Sequence, residues 1–425
     1  MKLLVVDVEH RVPDVPPPSV GEQWVLVRFQ GSPLGILQVG VGGCAATELA
    51  RRISREFAPR ILRHLAGDGI GSGDDVLPEP LISVCPRFAG LELPFITVAV
   101  CTRNGAERLP SCLRALDALR YPASRIERIV VDNAPSDDRV AELVAAHPGI
   151  RYVVEPRPGL DWARNRAVLA ASGEIVAFTD DDVSVDDGWA EAIGRSFASD
   201  PGIDGITGLV VPDEIDYGAQ RLFEEYGGFN RGYDRQYYSG KPGMRIARRF
   251  AGAGLFGTGA NMAFRKTLFE RIGHFDPALD VGTPTNGGGD LEMFFRTLKE
   301  GGTLLYEPAA IVRHRHRTSY QALKAQLTNN GLGFYSYLVR SAAAYPDERA
   351  TLIRFGAWWM WWWNLRRLLR SVVRPAEFPR DLILAELRGS LSGLTRYRRA
   401  RVQAAQIEER FGPLQPAPPA GDAAS

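Results

Sequence analysis

Residues 173–189 read GEIVAFTDDDVSVDDGW, in which a mostly apolar run leads directly into three consecutive aspartates. Adjacent carboxylates repel one another, and this repulsion is substantial in a half-buried site because the local dielectric is lower than that of water. The stretch is therefore either a solvated turn at the end of a strand or the border of a site for a positively charged group. The segments on either side favour the second interpretation.

Those segments alternate between strand and helix patterns. Continuous apolar runs predict buried strands at 95–102, 126–133, 150–156 and 174–182. Helical spacing of apolar residues predicts helices at 107–120, 138–147 and 161–172, the last with Asp161 as a plausible N-cap. The alternation predicts an α/β fold with a doubly wound, mostly parallel sheet and helices on both faces.

Polar residues follow the predicted strands where each one ends. They are Thr102, Arg103 and Asn104 after the first, Asp132 and Asn133 after the second, and Asp180, Asp181 and Asp182 after the fourth. Ligands of such sheets bind at the carboxyl ends of the strands, so we expect these side chains to converge. An Asp-x-Asp at a strand end suits Mg²⁺ or Mn²⁺, which prefer carboxylate oxygens and leave room for phosphate.

Composition and cysteine content narrow the class of protein. The chain has 425 residues, 45% of them hydrophobic, and a net charge of +1, which argues against a nucleic-acid binder. Its four cysteines form no CxxC pair and are expected to be reduced. The first ten residues do not resemble a signal peptide, and no uncharged apolar run approaches the ~18 residues of a spanning helix. We therefore expect a cytoplasmic protein that is at most peripheral to the inner face of a membrane.

Four regions are predicted along the chain. Residues 1–92 form a small β-rich or α+β module with a helix at about 45–66, followed by a Gly- and Asp-rich linker at 66–75. Residues 93–320 form the α/β core and 321–412 a helical region. Residues 413–425 have the composition of a disordered tail.

The helical region contains a cluster of tryptophan and arginine. Five of the eight tryptophans lie within 358–363. In the following helix, one predicted face carries Leu365, Leu368, Leu369, Val372 and Val373, and the other Arg366, Arg367, Arg370 and Arg374. A basic amphipathic helix beside a Trp cluster is typical of contact with an anionic membrane surface. The alternative is a helix packed on the protein itself or on a dimer partner.

Seven motifs resemble those of the family 2 glycosyltransferases, which have the GT-A fold. They occur in the family's order and spacing and cover about 95–320: VAVCTRN, VVDNAPSDD, GLDWARNRA, FTDDDV, GTGANMAFRK, GGGDLEMFFRTLKEGG and YEPAAIVRHRHR. Each motif is weak alone, but the set is specific. The resemblance implies a metal-dependent, inverting transfer of sugar from a nucleotide-sugar donor to a hydroxyl of a glycan or lipid-linked acceptor.

The resemblance also implies roles for individual positions. The nucleotide-sugar pocket would include Thr102, Arg103, Asp132, Arg164, Asn165, Asp180 and Asp181. Mn²⁺ or Mg²⁺ would be held by Asp180, Asp182 and His314, with His316 a weaker candidate. The alternative for VRHRHR at 312–317 is a surface strand with an Arg/His face.

The family's catalytic base lies in a Glu-Asp motif that opens a helix. In this chain the Glu position is Gly289, and Asp290 aligns with the base. Asp290 would accept the proton of the acceptor hydroxyl as its oxygen attacks the anomeric carbon. Glu292 is the alternative base, and Asp290 is also expected to be able to cap a helix at 291–300.

Other functional classes are less consistent with the sequence. The stretch GAGLFG at 252–257 matches a dinucleotide-binding pattern, but neither a strand before it nor a helix after it is predicted, which disfavours an oxidoreductase. A processive synthase is disfavoured because Q-x-x-R-W is absent. The remaining rival is a non-catalytic sugar-nucleotide-binding or scaffold protein, which the departure at Gly289 favours. The donor sugar, the acceptor and the oligomeric state are not determined by the sequence.

Overall fold

The computed structural model describes residues 2–18, 21–67, 90–374 and 378–414. Most of the predicted linker, Cys85 and nearly all of the predicted tail lie outside these residues. The helices and strands of the N-terminal module are β1 (Leu4–Asp7), β2 (Gln23–Phe29), β3 (Ser32–Val39) and α1 (Ala46–Gly67). β1 pairs in parallel with β2, and β2 pairs antiparallel with β3, so the module is of the α+β type.

The α/β core contains nine strands and seven α-helices. They are β4 (Ile96–Thr102), α2 (Leu109–Asp117), β5 (Ile126–Asn133), α3 (Arg139–Ala145), β6 (Arg151–Glu155), α4 (Leu160–Ala170), β7 (Ile175–Asp180), β8 (Val183–Val185), α5 (Trp189–Ser199), β9 (Gly205–Pro212), α6 (Gly218–Tyr226), β10 (Gln236–Ser239), β11 (Asn261–Arg265), α7 (Lys266–Ile272), α8 (Gly289–Lys299) and β12 (Thr303–His314). The strand order is β10-β12-β9-β11-β7-β4-β5-β6, and β8 pairs with β12.

The sheet has a parallel half and a mixed half. Strands β6, β5, β4 and β7 are parallel neighbours, as the strand–helix alternation predicts. β11 lies antiparallel between β7 and β9, and β9 and β12 are parallel. Alternate strand residues point to opposite faces: Ala99 and Cys101 enter one core with α4 and α8, and Val98 and Val100 enter the other with α2 and α5. Helices therefore cover both faces.

The C-terminal region is helical, and its first two helices pack on the first of these cores. The helices of this region are α9 (Tyr320–Ala344), α10 (Arg349–Trp359), a π-helical stretch (Met360–Leu365), α11 (Arg366–Val373) and α12 (Arg380–Phe411). Tyr335 and Phe355 enter the same core as Phe294 and Phe295 of α8. None of the helices in the described part of the chain is long and apolar enough to cross a membrane.

The tryptophan cluster is divided between the interior and the surface. Trp359 and Trp363 stack on each other, and Trp363 donates from Nε1 to both oxygens of the Glu386 carboxylate at 3.1 Å. The outward residues, which we call the Trp face, are Ile353, Trp358, Trp361, Trp362, Leu365, Leu369, Val372 and Val373.

Arg367 of the predicted basic face is turned toward the protein rather than toward solvent. Its guanidinium lies 4.1 Å from the ring of Tyr226, 4.4 Å from that of Trp363 and 5.1 Å from that of Phe378, so it faces the protein. The π-helical stretch before it widens the turn and shifts the phase of the residues that follow.

Candidate active site

The polar strand ends converge as predicted. β4 lies between β5 and β7, and the register pairs Thr102 with Asp132 and Cys101 with Asp180. The three strands therefore deliver their last side chains to one edge of the sheet. Neighbouring parallel strands meet there because their carboxyl ends point the same way.

The middle aspartate of the triplet is neutralised by an arginine. Arg108 donates from Nε and Nη2 to the two oxygens of Asp181 at 2.9 and 2.8 Å, and Thr102 donates its hydroxyl to Asp181 at 2.6 Å. Both oxygens of Asp181 are therefore engaged, and Thr102 is turned toward it. Arg108 was not among the site residues predicted from the sequence. The only indication of its role was its position between the end of β4 and the start of α2.

Arg164 provides a second positive charge at the strand ends. It is buried, donates from Nη1 to Asp161 Oδ1 at 3.0 Å, and places Nη2 4.0 Å from Asp180 Oδ1. Burial, together with the carboxylates of its neighbours, raises the pKa of Asp180 to about 7 even though Arg164 opposes the shift. Arg164 therefore does not fully offset the burial of the Asp180 carboxyl group.

Asp182 faces two basic side chains without a short contact to either. Its Oδ1 lies 3.7 Å from His314 Nε2, and its Oδ2 lies 3.7 Å from Arg317 Nη1. Burial raises the pKa of Asp182. Burial lowers the pKa of His314 to about 3, so the imidazole is neutral and can offer a lone pair.

These donors suit a hard divalent cation, although the side chains do not form a closed cage. Two carboxylates with raised pKa values and one neutral imidazole are the ligand types that bind Mn²⁺, and carboxylates bind Mg²⁺. Among the described residues, no group of three or more His, Cys, Asp or Glu side chains is close enough to hold a metal ion. Asp180, Asp182 and His314 fit such an ion in chemistry, and closing the site on it requires a change in side-chain position.

The other residues predicted to line the nucleotide pocket differ in how far their polar groups are available to bind a ligand. Asp132 is buried; its Oδ2 accepts the hydroxyl of Tyr152 at 2.8 Å, and its Oδ1 has no hydrogen-bond partner. Burial raises the pKa of Asp132. Arg103 is exposed at the end of β4. The side chain of Asn165 is engaged elsewhere. Its amide nitrogen donates to the carbonyl oxygen of Phe275, and its amide oxygen accepts the N–H of Phe275, both at 2.9 Å.

Asp290 lies in the first turn of α8 and is partly exposed. Its Oδ2 accepts the N–H of Gly259 at 2.8 Å, and its Oδ1 accepts the N–H of Leu291 at 2.9 Å. The N-cap of α8 is Gly288, with φ of 104°, so the expectation that Asp290 could cap the helix was wrong.

Glu292 is fully buried and paired with Arg296 and Arg340, which turns it away from the strand ends.

A buried carboxylate accounts for the glycine at 289. An added Cβ at Gly289 would overlap Oδ2 of Asp161, whose other oxygen is held by Arg164. Burial and the neighbouring Asp280 raise the pKa of Asp161 well above its ordinary value. Asp161 is the second residue of α4, whose N-cap is Gly159, so Asp161 is not the cap that the sequence predicted.

The GAGLFG stretch contains a short 3₁₀ turn at Ala253–Leu255, directly after another at Arg248–Ala251. It neither follows a strand of the sheet nor opens an α-helix, so the dinucleotide-binding interpretation is excluded. The segment runs instead toward Gly259, which contacts Asp290.

The strand order and the acidic strand ends agree with the predicted α/β fold of the GT-A type. Residues 97–273 match the profile of the family described as glycosyl transferase family 2. The matched residues make up less than half of the chain, and this part of the α/β core is similar to that family. Asp290 and His314 lie beyond the matched residues.

Curated relatives carry glycosyltransferase names. Glycosyltransferase AglE of Haloferax volcanii is 28% identical over 238 residues, which cover 55% of this chain and 71% of the relative. The pre-mycofactocin glycosyltransferase of Mycobacterium tuberculosis is 29% identical over 301 residues, which cover 69% of this chain and 56% of that protein. The chain thus spans little more than half of the mycobacterial relative.

Solved structures give a weaker likeness. The mannosyltransferase PcManGT from Pyrobaculum calidifontis, in complex with GDP-Man and Mn²⁺, has a TM-score of 0.47 and 19% identity, and the match covers 82% of this chain and 97% of that one. Glucosyl-3-phosphoglycerate synthase from Mycobacterium tuberculosis has a TM-score of 0.40 and 18% identity, and the match covers 60% of this chain and 81% of that one.

Proposed function

We infer that this chain is a metal-dependent, inverting glycosyltransferase that moves a sugar from a nucleotide-sugar donor to an acceptor hydroxyl. The observation that carries the proposal is the grouping of acidic side chains around Arg164. Asp180 faces its Nη2, and an added Cβ at Gly259 would touch both that nitrogen and Asp290. The metal-ligand candidates and the candidate base therefore lie on two sides of one buried cation.

The chain's own residues supply most of the steps of the proposed reaction. Asp132, through its unpartnered oxygen, and Arg103 would bind the base and ribose of the donor, with Thr102 and Asp181 shaping that pocket. Arg164 would attract the diphosphate. A divalent cation held by Asp180, Asp182 and His314 would neutralise the charge that develops on the leaving group.

Asp290 would act as the general base. It would accept the proton of the acceptor hydroxyl on a carboxylate oxygen while the hydroxyl oxygen bonds to the anomeric carbon and the bond to the diphosphate breaks. One displacement inverts the anomeric configuration. The main-chain N–H groups of Gly259 and Leu291 hold the Asp290 carboxylate in place. Its oxygens keep lone pairs that can accept the incoming proton.

The proposed metal dependence can be tested directly. Excess EDTA should abolish transfer and Mn²⁺ should restore it, because the proposed divalent cation would balance the charge of the departing diphosphate together with Arg164. Asp182→Ala should remove Mn²⁺-dependent nucleotide binding, whereas Asp234→Ala, on an exposed carboxylate, should not. The anomeric configuration of the product, read by proton NMR, tests inversion. Full transfer in EDTA would refute the metal-dependent mechanism.

The Trp face favours an acceptor that is held at a membrane. Trp361, Leu369 and Val373 are 53, 59 and 80% exposed. Residues 349–373 contain no acidic residue. Arg354 lies on α10, Arg366 and Arg370 on α11, and Arg374 directly after it, so the charge of this region is complementary to an anionic lipid surface.

The position of the Trp face links it to the site. An added Cβ at Gly252 would contact Phe355 of α10, and Arg248 lies 5.3 Å from the ring of Trp358. The same segment continues to Gly259, whose N–H is bonded to Asp290. We therefore propose a lipid-linked acceptor, presented to the base by a protein bound at an anionic membrane surface.

Liposome sedimentation tests the membrane contact. At about 1 kcal/mol for each arginine near an anionic surface, replacing Arg366, Arg370 and Arg374 with Gln should weaken binding to phosphatidylglycerol vesicles by roughly a hundredfold. The matched control replaces the exposed Arg51, Arg55 and Arg63 of α1 with Gln and should bind like wild type. Wild-type protein that ignores these vesicles at low salt and elutes as a dimer would show that the Trp face covers another copy of the chain.

A further inference from the structure

Four side chains, two of them buried imidazoles, form a row that ends at the proposed metal site. His316 Nε2 lies 2.7 Å from Glu224 Oε1, and His316 Nδ1 lies 3.1 Å from His314 Nδ1. The other nitrogen of His314, Nε2, faces Asp182 Oδ1 at 3.7 Å. Both imidazoles are buried, and Phe223 and Phe229 pack edge-on against them, so the rings have little freedom to turn.

The carboxylate of Glu224 sets the direction of every hydrogen bond in this row. An ionised carboxylate can only accept, so His316 must donate from Nε2. A neutral imidazole carries one N–H, so Nδ1 of His316 then has a lone pair and accepts from Nδ1 of His314. The remaining nitrogen of His314, Nε2, is left with a lone pair directed toward Asp182.

The distance between His314 and Asp182 agrees with this assignment. A protonated Nε2 would be expected to donate to the nearby carboxylate, yet 3.7 Å exceeds the length of an N–H···O hydrogen bond. Two lone pairs that face each other across such a gap leave room for a cation between them. His316 itself cannot be the ligand in this arrangement, because both of its nitrogens are engaged.

We propose that Glu224 and His316 are positioning residues that hold His314 in the Nδ1–H tautomer and so keep its Nε2 ready to bind a divalent cation. This inference rests on the metal site of the proposed function. Free imidazole side chains prefer the opposite tautomer in water, so the row imposes a state that His314 would not otherwise favour. Partners of this kind change metal affinity by about 10–100-fold in other proteins.

The first test reads the tautomer in the metal-free protein. The chain has only six histidines, so ¹⁵N-histidine labelling and long-range proton–nitrogen correlation can resolve them. His314→Gln identifies the signals of His314. At about pH 8, we expect the proton of His314 on Nδ1 and that of His316 on Nε2. A proton on Nε2 of His314 would overturn the inference.

The second test breaks the directional bias while preserving shape. Glu224→Gln offers a carboxamide, which can accept from His316 or donate to it, so both tautomers of His314 become accessible. We expect a mixture of tautomers and Mn²⁺ binding weakened about tenfold, measured from the electron paramagnetic resonance of free Mn²⁺. Glu225→Gln makes the same charge change at an exposed position of the same helix and should behave like wild type.

The two tests separate failure of the inference from failure of the proposed function. Unchanged Mn²⁺ affinity and an unchanged tautomer in Glu224→Gln would overturn the positioning role. A wild-type protein that binds no Mn²⁺ but shows the predicted tautomers would contradict the metal-dependent mechanism, since the row would then direct a lone pair to a site that takes no metal.

Discussion

Asp290→Asn separates the proposed base from a residue that only supports α8. Each carboxylate oxygen of Asp290 accepts one main-chain N–H, from Gly259 at 2.8 Å and from Leu291 at 2.9 Å. Asparagine keeps one acceptor, and its NH₂ group would face the N–H of Gly259. Losing that hydrogen bond to a charged group costs about 1.5–3 kcal/mol of stability. Losing the proton acceptor should lower turnover by about 10²–10⁴, or roughly 3–5 kcal/mol in the barrier.

The assay measures release of the nucleoside diphosphate at saturating donor, with donor affinity from calorimetry and folding from the melting temperature. We expect Asp290→Asn to retain donor binding and lose turnover. The control Asp347→Asn changes a half-exposed carboxylate that pairs with Lys299 and should leave turnover intact. Turnover of Asp290→Asn within threefold of wild type would refute the role of this residue, and an inactive but folded Glu292→Gln would move the base to Glu292.

Three further predictions concern packing and pH. Gly289→Ala should lower the stability of the fold by about 1–3 kcal/mol in denaturant titrations because its methyl group would overlap Asp161, whereas Gly218→Ala, with open space around it, should not. Burial raises the pKa of Glu386 from 4.5 to about 8, so the folded state binds the proton more tightly and stability should fall as pH rises from about 5 to 8; Glu386→Gln should flatten this dependence of the melting temperature. Arg367→Gln should destabilise the protein by roughly 1–2 kcal/mol by removing a cation from its aromatic surroundings, without weakening vesicle binding.

The parallel half of the sheet could be predicted from sequence because its strands are continuous apolar runs that end in polar residues. The positions of Asp180 and Asp132 followed from that pattern. The pairing of Arg108 with Asp181 could not, because it joins residues 73 apart in the chain and leaves no periodic signal.

Two other features could not be predicted from the sequence, because each depends on how helices pack or on a local change in helix geometry. The overlap of Gly289 with Asp161 depends on how α8 meets α4, and local propensity does not determine the packing of two helices. The inward turn of Arg367 arises after a π-helical stretch, whereas a helical projection assumes 3.6 residues per turn throughout. Amphipathicity alone therefore separated apolar from basic residues but did not indicate that Arg367 packs against the protein.

Binding of a nucleotide sugar with Mn²⁺ tests the account most directly. UDP-, GDP- and dTDP-sugars would be screened by thermal shift with Mn²⁺ and with EDTA, for wild type and for Asp182→Ala. The account predicts that one nucleotide raises the melting temperature of the wild type in Mn²⁺ only, and that Asp182→Ala loses this shift. Equal stabilisation in EDTA, or an unchanged shift in Asp182→Ala, would contradict a metal-dependent donor site at the end of β7.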